Sequence, residues 1–238
     1  LPEPGPGANL IGWVPGATPG EGPVLVITAH YDHLGVRNGE IYNGADDNAS
    51  GSAMLTALAE YFVRQPPRHD ILFVALDGEE VGFLGARALV RDPALPIDRA
   101  ALNINMDMVS RSDVDELYVA GTYHTPALTG LVEQVAAEAP VKLLIGHDRP
   151  EDGVNDWTNQ SDHALFHEVG IPFLYFGVED HPDCHKPTDD FSVIPLDFYV
   201  RAADTVAMAV RAADERLPEI YALRQPRAAP VQPEGPTE

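Results

Sequence analysis

Cysteine is almost missing from this 238-residue chain, where Cys184 is the only one. A single thiol forms no internal disulfide and builds no cysteine-rich zinc site. Basic residues are scarce too, 15 against 37 acidic, for a formal charge of -22. Nucleic-acid and anionic membrane surfaces both need clustered Lys and Arg, so neither is an expected partner. No run of about 18 apolar residues occurs, so no membrane span is expected. The single-metal helix motif His-Glu-x-x-His and the Gly-x-Ser-x-Gly elbow of serine hydrolases are absent as well. The chain opens on Leu1 and lacks a basic-then-apolar signal pattern. A processed or trimmed N-terminus is therefore expected, which favours a secreted or periplasmic protein. Composition leaves the oligomeric state open.

What is present suits one domain of ordinary size, with 45% hydrophobic residues to fill a core. Residues 1–23 are rich in Pro and Gly and read as an extended lead-in. Residues 218–238 read as a Pro-rich tail. Between them, residues 24–217 read as a single domain in which short apolar runs alternate with amphipathic ones. The runs at 24–29, 71–76, 101–106, 116–120, 141–145 and 172–176 predict strands. The stretches 50–65, 82–91, 126–139, 161–169 and 196–217 predict helices. Such alternation predicts a three-layer α/β/α fold with a mixed, mostly parallel sheet. Ligands of such sheets sit at the carboxyl ends of the strands.

Potential metal ligands cluster just past those ends. They are His30-Tyr31-Asp32-His33, the loop Gly44-Ala45-Asp46-Asp47-Asn48-Ala49-Ser50-Gly51, Asp77-Gly78-Glu79-Glu80, Asn105-Met106-Asp107, and the late stretch His185-Lys186-Pro187-Thr188-Asp189. Any one has an ordinary reading, such as a helix cap for Asp46 or Asp47 or a first-turn charge for Glu79-Glu80. Five together are harder to explain that way, because charges directly after buried strands are costly unless paired or bound to metal. Histidines and carboxylates without Cys suit zinc in a nitrogen and oxygen environment. His30 and Asp32 fit a ligand and the carboxylate that receives its other N–H. The adjacent Glu79 and Glu80 can divide metal binding from proton transfer. His33 reads as a support of the ligands or as pocket wall.

In order and spacing, these five stretches resemble the M28 family of co-catalytic zinc exopeptidases. The resemblance implies two zinc ions, with His30, Asp47, Glu80, Asp107 and His185 as ligands and Asp47 as the bridge. It further implies Glu79 as general base, Asp32 as the group orienting His30, and a cis peptide at Asp47–Asn48. Asp189 is expected either beside His185 or as a helix cap. The implied reaction is hydrolysis of a peptide substrate by a bridging water or hydroxide, most simply release of N-terminal residues. Relatives on this scaffold also include carboxypeptidases, glutaminyl cyclases and non-catalytic modules. Several members carry Tyr before the last His, where it supports the oxyanion. This chain has Cys184 there, a weaker donor, which shifts that task towards the metals, Tyr175 or His181.

Overall fold

The computed structural model describes residues 6–225. Nine strands and six α-helices follow one another as β1 (Leu10–Val14), β2 (Val24–His30), β3 (Gly35–Arg37), β4 (Glu40–Tyr42), α1 (Gly51–Arg64), β5 (Asp70–Leu76), α2 (Leu84–Leu89), β6 (Ala100–Met106), β7 (Glu116–Ala120), α3 (Thr129–Glu138), β8 (Lys142–Ile145), α4 (His163–Glu168), β9 (Phe173–Gly177), α5 (Leu196–Glu215) and α6 (Leu217–Tyr221). Seven strands form one sheet in the order β1-β5-β2-β6-β9-β7-β8. The central strands β5, β2, β6 and β9 run parallel, whereas β1 joins β5 and β7 joins β9 antiparallel. This is the mixed, mostly parallel sheet that the alternation predicts.

Strand periodicity sorts the core into two layers, because successive side chains point to opposite faces. Leu25, Ile27 and Ala29 of β2 pack with Met54, Leu58 and Phe62 of α1 and with Phe198, Val206 and Val210 of α5. Val24 and Val26 turn the other way, onto Ala86 and Leu89 of α2 and Leu165 and Phe166 of α4. A strand buried on both faces reads as a continuous apolar run. Towards the end of β2 the second face becomes polar. Thr28 donates to Asn105 Oδ1 (2.6 Å), Asn105 Nδ2 donates to Ser161 Oγ (2.9 Å), and Asn103 Nδ2 donates to Thr28 Oγ1 (3.0 Å). This ladder ties the start of α4 to the strands that carry the site.

The ends of the chain differ from the sequence reading. Residues 10–14, inside the expected lead-in, form the edge strand β1, with Leu10 and Trp13 exposed. Buried Asp70 anchors the stretch that follows, accepting the N–H groups of Gly16 and Gly20 at 2.8 Å each. The expected tail begins as helix α6, and residues 226–238 lie outside the described residues. The small β3–β4 hairpin, not anticipated, turns through Asn38 and Gly39, both at positive φ (54° and 84°). A two-residue hairpin turn with positive φ at both positions favours Asn-Gly.

Candidate metal centre

Three parallel strands end at one place. β2 delivers His30 as its last residue, β5 is followed by Asp77-Gly78-Glu79-Glu80, and β6 is followed by Asp107. The loop before α1 brings Asp47, and the segment before α5 brings His185. The structure thus gathers all seven residues singled out in the sequence.

Asp47 lies in the middle. Its Oδ1 is 3.4 Å from His30 Nε2, which is also 3.2 Å from Asp107 Oδ1. Its Oδ2 is 2.9 Å from His185 Nε2, which is 3.6 Å from Glu80 Oε1. One carboxylate therefore faces two separate sets of donors with its two oxygens. Asp46 points elsewhere. Its Oδ1 accepts from Ser110 N–H (2.8 Å) and Oγ (2.6 Å), and its Oδ2 faces His181 Nε2 at 3.1 Å. That contact also commits His181 away from the cluster, with Arg111 against its other nitrogen.

The loop holding Asp47 is pinned from three sides. The Asp47–Asn48 peptide is cis, as the resemblance implies. Asn48 donates to Met106 O at 2.9 Å and accepts from Gly51 N–H at 2.9 Å, locking the loop to the end of β6. Gly44 sits at φ 61°, where a Cβ would come within 2.2 Å of Asp47 O and 2.6 Å of the His33 ring, so no larger residue fits. Asp189 completes the brace. Its carboxylate accepts the N–H groups of Asp46 (3.0 and 3.1 Å) and Asp47 (3.1 Å). It is thus a long-range cap on the metal loop, neither a partner of the His185 ring nor the cap of its own following turn, a task taken by Asp190. Asp189→Ala strands two buried amides and is expected to cost about 1–3 kcal/mol, the penalty for unsatisfied buried donors; denaturant unfolding of the metal-free protein measures it.

Asp32 works through backbone as well as through His30. Its Oδ1 lies 3.6 Å from His30 Nδ1, which is nearer to the Asp32 carbonyl at 3.1 Å. The same carboxylate accepts the N–H groups of Glu79 (3.0 Å) and Glu80 (3.3 Å), fixing the turn that aims both glutamates.

The electrostatics are those of an acidic cluster. Among the described residues no Lys or Arg pairs with Asp47, Glu80 or Asp107; only imidazoles do. Burial, then the Asp107 carboxylate, pushes Glu79 up to about 9 in the bare polypeptide. Burial opposes a charged His30, yet Asp107, Asp32 and Asp47 outweigh it and hold its pKa well above the ordinary value. Asp47 likewise raises His185. Burial disfavours ionised Asp47 too, but His185 and His30 hold its carboxyl well below the usual carboxylate range. Asp162, just before α4, is fully buried with neither oxygen hydrogen-bonded, and burial pushes it up to about 7. Tyr175 is the neutral hydroxyl at hand, buried and donating to the Asp107 carbonyl at 3.4 Å. The Cys184 thiol lies half-buried, 3.9 Å from Met108 Sδ, with burial raising it to about 12.

A crowd of largely buried carboxylates met by imidazoles alone, with no Lys or Arg among the described residues, is costly unless metal cations neutralise it. The donor chemistry fits zinc, since every central donor is a histidine nitrogen or a carboxylate oxygen. Frame and cluster together define a candidate metal centre at the carboxyl ends of the strands. Residues 9–210 match the model of peptidase family M28, and the chain belongs to that family. The aminopeptidase YwaD of Bacillus subtilis is 30% identical over 199 residues, 79% of this chain and 40% of that protein. A probable zinc metalloprotease of Pyrenophora tritici-repentis is 30% identical over 136 residues, 52% of this chain and 31% of that one. The solved structure of BSAP, a zinc aminopeptidase from Bacillus subtilis, matches with a TM-score of 0.71 at 28% identity, covering 86% of this chain and 50% of that one. The chain thus spans half or less of the length of these relatives.

Proposed function

We propose that the chain carries the catalytic centre of a zinc aminopeptidase that uses two zinc ions. The observation that supports this best is the Asp47 carboxylate, with one oxygen towards His30 and the other towards His185. In this reading His30, Asp107 and Asp47 hold one zinc, and Glu80, His185 and Asp47 hold the other. Zinc there supplies a lowered water pKa and polarisation of the scissile carbonyl. Glu79, within 4.8 Å of donor atoms of His30 and Asp107, takes the proton of the attacking water and hands it to the leaving amine. Asp32 holds Glu79 in place through its backbone N–H. The acidic cluster attracts a substrate's free α-amine, which favours cleavage at the N-terminus. Tyr175 and Cys184 are neutral donors beside the cluster that can serve the oxyanion.

An aminoacyl-anilide panel tests the activity. Hydrolysis is expected with a free α-amine, lost on N-acetylation, abolished by chelator and restored by zinc. Equal turnover of acetylated substrates would overturn the aminopeptidase reading.

Zinc binding is also expected to release protons and to weaken as pH falls. His30 and His185 have raised pKa values and Glu79 is pushed up to about 9, so protons compete for these groups from a higher pH than for ordinary ones. Calorimetry in buffers of different ionisation enthalpy counts the protons. A pH-independent zinc affinity between 5 and 8, the range over which an ordinary His titrates, would contradict the ligand set.

A further inference from the structure

We propose that His33 is a further protein ligand, on the Glu80 side of the centre. The inference rests on the zinc reading above and adds a residue to it. The His33 side chain is 9% exposed, as is that of Glu80, and its Nδ1 stands 2.8 Å from Glu80 Oε1. Despite that distance, His33 Nδ1, His33 Nε2 and Glu80 Oε1 all lack a hydrogen-bond partner. The oxygen lies off the direction in which the ring could donate an N–H to it. Two donors that sit close without pointing at each other have the geometry of ligands aimed at a common third point. Leaving them so, buried and without a hydrogen bond, is otherwise costly.

The neighbours agree. His33 Nδ1 is 3.9 Å from Asp47 Oδ2, the oxygen that faces His185. Donor atoms of His33, Asp47 and Glu80 all lie within 4.8 Å of one another. The φ 61° glycine at position 44 leaves the room the imidazole occupies, since a Cβ there would press on the ring at 2.6 Å.

The consequence is an asymmetric pair. The Glu80 side has four protein donors, His33, Asp47, Glu80 and His185. The His30 side has three, His30, Asp47 and Asp107. A fourth protein donor leaves its zinc less open to the shared water or substrate than a zinc held by three. Glu79 groups with His30 and Asp107, so the proton acceptor stands on the open side.

X-ray absorption at the zinc edge tests this on the protein loaded with zinc. Three imidazoles per two zincs are expected in the wild type and two in His33→Gln. Release into graded chelator is expected in two steps, with the tighter step weakened about 10-fold or more by His33→Gln, at least what losing a supporting group of a zinc site costs. Two imidazoles per two zincs in the wild type, with unchanged release in the variant, would overturn the role of His33 and leave the two-zinc reading standing. A wild-type protein that takes up no zinc would instead remove that reading itself.

Discussion

Glu79→Gln is expected to bind its full complement of zinc and to turn over about 10²–10⁴-fold more slowly, the range that general-base catalysis supplies. The substitution preserves shape and hydrogen-bonding length while removing the group that accepts the proton. It leaves the backbone N–H of residue 79, and so its contact with Asp32, in place. The loss should fall on kcat rather than KM, because Glu79 acts on the attacking water rather than on the part of the substrate bound beforehand. Metal analysis beside steady-state kinetics on an aminoacyl anilide reads both quantities. Normal turnover in a zinc-replete variant would remove Glu79 from the reaction, and lost zinc would make it a ligand instead.

Asp47→Ala is expected to have a different signature, loss of both zincs and of all measurable activity. Each oxygen of Asp47 faces one donor set, so truncation takes a ligand from both at once. The protein also loses the stabilisation that bound metal gives, about 2.7 kcal/mol when free zinc stands at 100 times Kd. The neighbouring Asp46→Ala is the control. Asp46 braces Ser110 and His181, so its loss is expected to cost about 1–3 kcal/mol of folding stability with zinc content retained. If Asp47→Ala retained two zincs while Asp46→Ala lost them, the two roles would be exchanged.

The strands that end at the cluster were legible because each is a short apolar run followed at once by charge, as in Ile71–Leu76 before Asp77-Gly78-Glu79-Glu80. The helices α1 and α5 were legible from their apolar faces. The edge strand β1 was hidden because its residues are largely exposed and set among Pro and Gly, so neither alternation nor a buried run marks it. The β3–β4 hairpin does leave a signal, Asn38-Gly39 between Val36 and Ile41, but strands of three residues each are too short to show an alternation. His33 directly follows the recognised Asp32, yet whether its ring faces the cluster depends on the chain's course through Gly44, which no local pattern encodes. The same holds for Asp189, whose partners lie 142 and 143 positions away. Family resemblance implies Asp47 as the bridge, whereas the engagement of Asp46 by Ser110 and His181 is visible only in three dimensions.

The brace by Asp189 also bears on how the molecule comes to exist. Contacts that close long stretches of chain form late, since the entropy of closing the loop must be met before the contact repays it. Asp189 and His185 both reach back across well over a hundred residues. During synthesis the sheet strands β2, β5 and β6 can pair while this stretch is still unmade, leaving Asp47 on a loop with unsecured amides. The expected order of assembly is therefore scaffold first and acidic pocket last, and a nascent chain halted before residue 185 is expected to hold much of its sheet and none of its finished site.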